Sequence, residues 1–255
     1  MDFPPRSIVP PDHVEPVPRR IRALFGDEVV VDSVAARYVW ERAPYPQYYL
    51  PRGDVAEHLL VTDGRTEDTP RGSARWFWLA TAGVEGPPAA RLLVDARRSE
   101  LSGTYRFEWD ALEHWFEEDE EVFVHPRSPY TRVDALRSTR VVRIELGGVV
   151  LAESTSPVLV FETGLPTRYY LNRTEVRFEH LVPTATVTRC PYKGTTTGYW
   201  SVVADGEVHD DLAWSSDFPT RQLLPVAGLV AFYNERVDLF VDHELVERPR
   251  THPAD

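Results

Sequence analysis

The single cysteine and the single lysine of the chain lie close together in the segment RCPYKG, residues 189–194. A thiol becomes a nucleophile when nearby positive charge favours its thiolate, and both Arg189 and Lys193 can supply that charge. His180, in a preceding segment, is a candidate to relay a proton. We therefore take Cys190, Lys193 and His180 as candidate catalytic residues, with Cys190 as nucleophile or redox thiol.

A purely structural interpretation of the same segment stays open. In it, Cys190 fills a small gap in the core and Lys193 bonds to carbonyl groups of its own loop. The two interpretations differ in whether the sulfur faces a cavity that solvent can reach.

Aromatic and basic side chains near this segment predict a pocket for a planar or anionic small molecule. In the tandem tyrosines 169–170, strand alternation sends the two rings to opposite faces, so only one ring can line a pocket. The candidate ligand-binding residues are Arg173, Arg189, Tyr170, Tyr192, Tyr199, Trp200 and Trp214.

Metal and cofactor motifs are missing from the sequence. A structural zinc site needs four close Cys or His ligands, and a mixed site from His180, Cys190 and His209 matches no known ligand spacing. The chain contains no GxSxG, GxxxxGK[ST] or GxGxxG motif. We expect no metal and no cofactor, and we interpret the acidic run at 113–121 as a solvated face.

The overall composition limits the partners and the location. The net charge of −12 disfavours binding to nucleic acid or to an anionic membrane. No segment has the pattern of a signal peptide or a membrane span, and one cysteine cannot form an internal disulfide. These features predict a cytoplasmic protein.

The chain is an internal duplication. The segment RIRALFGDEVVVDS (20–33) returns as VVRIELGGVVLAES (141–154), and YYLPR (48–52) returns as YYLNR (169–173) at the same offset. The repeat predicts a Pro-rich tail over 1–18, a first domain over 19–128, a linker over 129–136, a second domain over 137–248 and a tail over 249–255.

Strand periodicity dominates each copy, so the predicted fold is mainly β, with two small homologous β domains and one short helix in each. The glycine pair at 147–148 predicts a tight hairpin, and the segments around NER (234–236) predict a second hairpin. The segment at 174–182 predicts the short helix.

Several segments together resemble the domain of unknown function family 427. These are the YYLPR/YYLNR stretches, the CPYKG loop, AWSSDFP (213–219) and VAFY (230–233), and they span both copies. The resemblance implies a compact β-tent-like domain in a bacterial protein but no established activity. A nucleotidyltransferase label attached to the family has no independent support in these residues.

The first copy departs from the CPYKG pattern. Its matching stretch is DTPRG (68–72), where Thr69 replaces the cysteine and Arg71 stands near the lysine position. We therefore expect the site in the second copy: a small-molecule-binding protein or a cysteine-dependent enzyme. The alternatives are a non-catalytic scaffold, built as an intramolecular pseudo-dimer that can be monomeric, and a nucleotide-handling protein.

Overall fold

A computed structural model of the chain describes residues 9–81, 87–204 and 206–249. The described chain divides into two compact units, one ending at Ser128 and the other beginning at Pro129. The two units correspond to the two copies of the duplication.

The described residues of the first unit form twelve strands in two antiparallel sheets. The large sheet has the order β1-β4-β5-β10-β9-β8-β6, with β7 paired to β8, and the small sheet has the order β12-β11-β2-β3. The strands are β1 (Val14–Pro16), β2 (Ile21–Phe25), β3 (Glu28–Ser33), β4 (Arg37–Val39), β5 (Gln47–Pro51), β6 (Leu60–Val61), β7 (Thr66–Thr69), β8 (Gly72–Leu79), β9 (Ala90–Ala96), β10 (Thr104–Phe107), β11 (His114–Glu117) and β12 (Glu120–Val122).

The second unit repeats this arrangement. Its large sheet has the order β13-β16-β17-β23-β22-β21-β18, its small sheet the order β15-β14-β24-β25, and β19 pairs with β20. The strands are β13 (Val133–Arg137), β14 (Val142–Leu146), β15 (Val149–Ser154), β16 (Val158–Glu162), β17 (Arg168–Leu171), β18 (Leu181–Pro183), β19 (Arg189–Cys190), β20 (Gly194–Thr195), β21 (Gly198–Ala204), β22 (Glu207–Ser215), β23 (Val230–Phe232), β24 (Asp238–Val241) and β25 (Glu244–Val246). The predicted mainly β fold with two halves is confirmed.

The hairpin predicted at Gly147-Gly148 is present. Leu146 pairs with Val149 in β14 and β15, and both glycines have positive φ, at 57° and 80°. A two-residue turn that matches the right-handed twist of its strands needs positive φ at both central positions, which glycine adopts without steric cost.

The prediction of a hairpin around NER (234–236) is wrong. Strand β23 pairs with β17 and β22, whereas β24 pairs with β14 and β25. Both edges of β23 are therefore taken by other strands, and the NER segment carries the chain from the large sheet to the small one. Strand periodicity identified both strands, but it carries no information on their partners.

The helical content consists of short 3-10 turns. The segment expected to be a short helix at 174–182 forms two such turns and then enters β18. The turns of the described chain are Arg52–Asp54, Glu57–Leu59, Ser99–Leu101, Trp109–Ala111, Arg173–Glu175, Phe178–His180 and Arg221–Val226. Within the described residues, no helix is long and apolar enough to cross a membrane.

Two predicted boundaries differ from the observed strands. Strand β1 lies within the segment expected to be a tail over 1–18, and it pairs with β4. Strand β13 lies within the segment expected to be a linker over 129–136, and it pairs with β16. Both segments belong in part to the folded sheets, since their backbone groups bond to neighbouring strands. Residues 1–8 and 250–255 lie outside the described residues.

Each unit has a main core and a smaller second core, and the tandem tyrosines divide between them. Tyr169 packs against the main core of the second unit, whereas Tyr170 belongs to the smaller core with Leu223 and Val226. Tyr48 and Tyr49 divide in the same way in the first unit. The alternation of side chains along a strand thus sends the two tyrosines of each pair to opposite faces, with Tyr170 in the smaller core of the second unit and Tyr49 in that of the first.

Candidate functional site

The CPYKG loop is a small hairpin fixed to a neighbouring segment. Cys190 pairs with Gly194, and the threonine at 220 holds the turn: its amide donates to the Lys193 carbonyl at 3.3 Å and its hydroxyl donates to the Tyr192 carbonyl at 2.6 Å. Gly194 has φ of +88°, and a Cβ there would lie 3.4 Å from the Thr220 amide nitrogen. Glycine at this position therefore lets the loop close tightly.

This hairpin forms one wall of a partly enclosed cavity of about 150 Å³ in the second unit. The other walls come from β17, β21, β22, the turn Arg221–Val226 and the segment after β23. The lining residues are Arg168, Tyr170, Thr188, Arg189, Cys190, Lys193, Gly194, Thr195, Thr196, Tyr199, Trp214, Ser216, Pro219, Leu223, Val226 and Tyr233.

The Lys193 ammonium forms an ion pair with the Glu162 carboxylate. The side chain of Lys193 is 26% exposed and that of Glu162 is 7% exposed. Burial lowers the pKa of Lys193, but the charges of Glu162 and Cys190 outweigh burial and leave this pKa above its ordinary value. The amine is therefore protonated at neutral pH, so it supplies positive charge and does not act as a base or nucleophile.

A second cation of the cavity is also neutralised. Arg168 contacts the Glu235 carboxylate through two nitrogens, at 2.5 and 2.7 Å, and it donates to Asn234. Its guanidinium carbon lies 5.8 Å from the ring centre of Trp214 and 5.5 Å from that of Tyr233. The ion pair and the two rings fix the guanidinium in one orientation.

The aromatic side chains of the cavity form a connected group. The rings of Trp214 and Tyr233 lie 4.4 Å apart, and the Trp214 indole N–H donates to the Tyr170 hydroxyl at 3.3 Å. The hydroxyl groups of Tyr199 and Tyr233 are 2.5 Å apart. Burial raises the pKa of Tyr170 and of Tyr199, and the bond to Tyr233 raises that of Tyr199 further. These hydroxyls are neutral hydrogen-bonding groups at neutral pH.

Cys190 is partly exposed and lines this cavity. Its sulfur is close enough to Lys193 for the two side chains to interact electrostatically. Lys193 also pairs with Glu162, however, and this pairing was not expected from the sequence. The structure therefore places the thiol in a cavity beside an ammonium group that already has a carboxylate partner.

Six of the ten residues predicted from sequence line the cavity, and four do not. Those that do are Tyr170, Arg189, Cys190, Lys193, Tyr199 and Trp214. His180 ends the turn Phe178–His180 directly before β18 and is absent from the lining, so a proton relay from His180 has no geometric support.

The other three predicted residues have local structural contacts. Arg173 donates to the Gly228 carbonyl at 3.0 Å and to the Ser215 hydroxyl at 3.1 Å. Trp200 is 8% exposed and belongs to the main core. The carbonyl of Tyr192 helps to hold the loop, but its side chain is not part of the cavity lining.

Several residues that line the cavity were not predicted, although sequence patterns could have identified some of them. Arg168 stands two positions before Tyr170 on β17, so strand alternation places both side chains on one face. Tyr233 ends the VAFY stretch that carries part of the family resemblance. Glu162 had no such signal, because only the fold brings the end of β16 to the CPYKG loop.

The first unit has a smaller cavity, of about 70 Å³, beside the matching hairpin. Thr69 pairs with Gly72 there, as Cys190 pairs with Gly194 in the second unit. The register thus agrees with the prediction that Thr69 replaces the cysteine. Among the described residues, no group of three or more His, Cys, Asp or Glu side chains is arranged to hold a metal ion.

Comparison with known families gives one match. A family described as a domain of unknown function, DUF427, matches residues 13–118 and again residues 134–243. Each matched segment lies within one of the two compact units. No curated protein matches the chain.

Proposed function

The chain belongs to the DUF427 family, as a member with two copies of the domain, and we propose that its second copy binds a small molecule in the cavity beside Cys190. The observation that carries the proposal is the convergence of Trp214, Tyr170 and Tyr233 on one cavity that also contains the single thiol. Ligand pockets typically combine aromatic walls with a few fixed polar groups.

The charges of the cavity favour a ligand that is planar and neutral, or that has at most one negative charge. Three cations line the cavity, and two of them, Lys193 and Arg168, pair with the carboxylates of Glu162 and Glu235. These two ion pairs reduce the attraction for a highly charged anion, whereas the aromatic rings and the hydroxyl groups remain available.

We propose that Cys190 contacts this ligand and that the Lys193 ammonium stabilises negative charge beside it. The Lys193 ammonium stays protonated at neutral pH, so it can stabilise a negative charge on sulfur or on the ligand. Because this ammonium already pairs with Glu162, it attracts a negative charge on the ligand less strongly than an unpaired cation would. A more specific version of this proposal is that Cys190 takes part in a reaction with the bound molecule.

A fragment screen by ligand-observed NMR tests the binding function. We expect small aromatic amides and monocarboxylates to bind the native protein, and Trp214→Ala to abolish their binding because it removes the central ring. Trp76→Ala is the matched control, since Trp76 lies on β8 of the first unit. Fragment binding that survives in Trp214→Ala would contradict the proposal.

The same screen also tests two alternative functions. Adding nucleotides to the screen tests the nucleotide-handling hypothesis, and the neutralised cations predict little binding of triphosphates. If no fragment binds, the second unit is better described as part of a non-catalytic scaffold in which the two copies form an intramolecular pseudo-dimer. We also propose that the protein is located in the cytoplasm.

A further inference from the structure

Tyr49 and Tyr170 occupy equivalent positions in the two copies. Tyr49 pairs with Arg37 across β4 and β5, and Tyr170 pairs with Val158 across the corresponding strands β16 and β17. Each tyrosine also belongs to the smaller core of its unit. Because the two hydroxyl groups start from the same place in the fold, a difference between their partners reflects a difference between the two sites.

A glutamate also occupies equivalent positions in the two copies, but its partner differs. Glu41 and Glu162 have the same separation along the chain as Tyr49 and Tyr170. In the first unit, Glu41 accepts a hydrogen bond from the Tyr49 hydroxyl at 2.6 Å. In the second unit, Glu162 pairs with the ammonium of Lys193 instead. The lysine thus takes the carboxylate that accepts the tyrosine proton in the other copy.

The Tyr170 hydroxyl is therefore left with an unused proton. Tyr170 is 4% exposed, and its oxygen accepts a hydrogen bond from the Trp214 indole N–H at 3.3 Å. No residue of the described chain accepts a hydrogen bond from this hydroxyl. A tyrosine hydroxyl can donate as well as accept, and a buried donor without an acceptor is costly. The unused proton indicates an acceptor that comes from outside the protein.

The hydroxyl belongs to the wall of the second-unit cavity. Tyr170 lines that cavity together with Trp214 and Lys193. Burial raises the pKa of Tyr170, whereas the bond from Trp214 and the charge of Lys193 oppose that rise. The hydroxyl is therefore close enough to the ammonium for the two groups to interact, and an acceptor beside it also benefits from the positive charge.

Lys193 has donors for the same acceptor. An ammonium group has three N–H donors, and Glu162 is the only acceptor that it contacts in the part of the chain that the structure describes. A carbonyl oxygen has two lone pairs, so it can accept from both Tyr170 and Lys193. A ligand with an N–H or O–H at this point would instead place a donor against two donors, which is unfavourable.

We propose that the ligand of the second-unit cavity is an aromatic carbonyl compound, and that Tyr170 determines this specificity. The carbonyl oxygen accepts hydrogen bonds from the Tyr170 hydroxyl and from the Lys193 ammonium, and the ring of the ligand packs against Trp214. This inference rests on the small-molecule binding proposed above and adds the chemical class of the ligand.

An NMR titration of the full chain with two matched compounds tests the proposal. Acetophenone has a ring and a carbonyl group, and α-methylstyrene has the same shape with a CH₂ group in place of the oxygen. We expect acetophenone to bind about tenfold more tightly, because only its oxygen accepts the unused proton.

The outcomes separate this proposal from the proposed function. Equal affinities for the two compounds, or tighter binding of α-methylstyrene, would overturn the carbonyl specificity but leave small-molecule binding in place. If neither compound binds while other fragments of the screen do, the proposed class of ligand is wrong. If no fragment binds at all, the binding function fails, and this inference fails with it.

One variant identifies the residue responsible. Tyr170→Phe removes only the hydroxyl, so it should weaken acetophenone binding about tenfold and leave α-methylstyrene binding nearly unchanged. Tyr169→Phe is the matched control, because Tyr169 lies on the same strand and is absent from the cavity lining. A preference for acetophenone that survives in Tyr170→Phe would overturn the assigned role of Tyr170. If this variant does not fold, the two affinities of the native protein still decide the proposal.

Discussion

The ion pair between Lys193 and Glu162 makes a quantitative prediction about the stability of the second unit. Lys193→Met keeps an unbranched side chain, one heavy atom shorter, and removes its charge. The variant leaves Glu162, which is 7% exposed, without the only cation that it contacts in the described chain. An uncompensated buried charge is among the most destabilising results of a single substitution.

The expected magnitude follows from the burial of the two partners. Breaking a buried ion pair by removing one partner costs about 3–5 kcal/mol. Lys193 is 26% exposed, so water already screens the pair in part. We therefore expect a loss of about 3 kcal/mol at pH 7, at the lower end of that range. The double variant with Glu162→Gln removes both charges and should recover about 2 kcal/mol of this loss.

Urea denaturation measures these changes. The chain has two compact units, so its unfolding is fitted with two transitions, and only that of the second unit should move. Arg140→Met is the control, because the Arg140–Asp242 pair in the same unit is half exposed, and it should cause no measurable shift. A Lys193→Met variant within about 1 kcal/mol of the wild type, or a double variant no more stable than the single one, would refute the argument.

Two further predictions concern the same unit. Gly194→Ala places a Cβ on a residue with φ of +88° and should destabilise the second unit by about 1–2 kcal/mol, visible as a lower Tm in calorimetry; an unchanged Tm would contradict the strained loop. Burial raises the pKa of Tyr170 and Tyr199 above 10.0, and Glu162 helps to raise that of Lys193 above 10.5, so the folded state keeps protons that the unfolded state loses. Stability to urea should therefore be fully present below about pH 10 and should fall as the pH rises further, and a flat profile up to pH 11 would be inconsistent with these shifts.

The sequence predicts the duplication and the β class because both depend on local, repeated patterns. The fixed offset between copies, the Gly147-Gly148 turn and the alternation at Tyr169-Tyr170 each have a direct structural counterpart. Strand partners were harder to predict. The strands that flank NER belong to different sheets, because other strands occupy both edges of β23.

In the candidate site, too, local sequence patterns do not predict which residues the fold brings together. Cys190 and Lys193 could be identified because they are unique in the chain, and the hairpin keeps them together. His180 was selected for its closeness in sequence, but the chain enters β18 directly after it, and it does not line the cavity. Glu162 and Glu235, which pair with Lys193 and Arg168, come from other parts of the chain and become their neighbours only in the folded protein.

The most direct test of the central claim, that Cys190 lines a cavity open to small molecules, is the rate at which iodoacetamide alkylates the native protein. Mass spectrometry follows the reaction at one site, since the chain has a single thiol. The structure predicts labelling of the folded protein, because Cys190 is partly exposed and lines the cavity. Labelling that occurs only after denaturation would contradict the account.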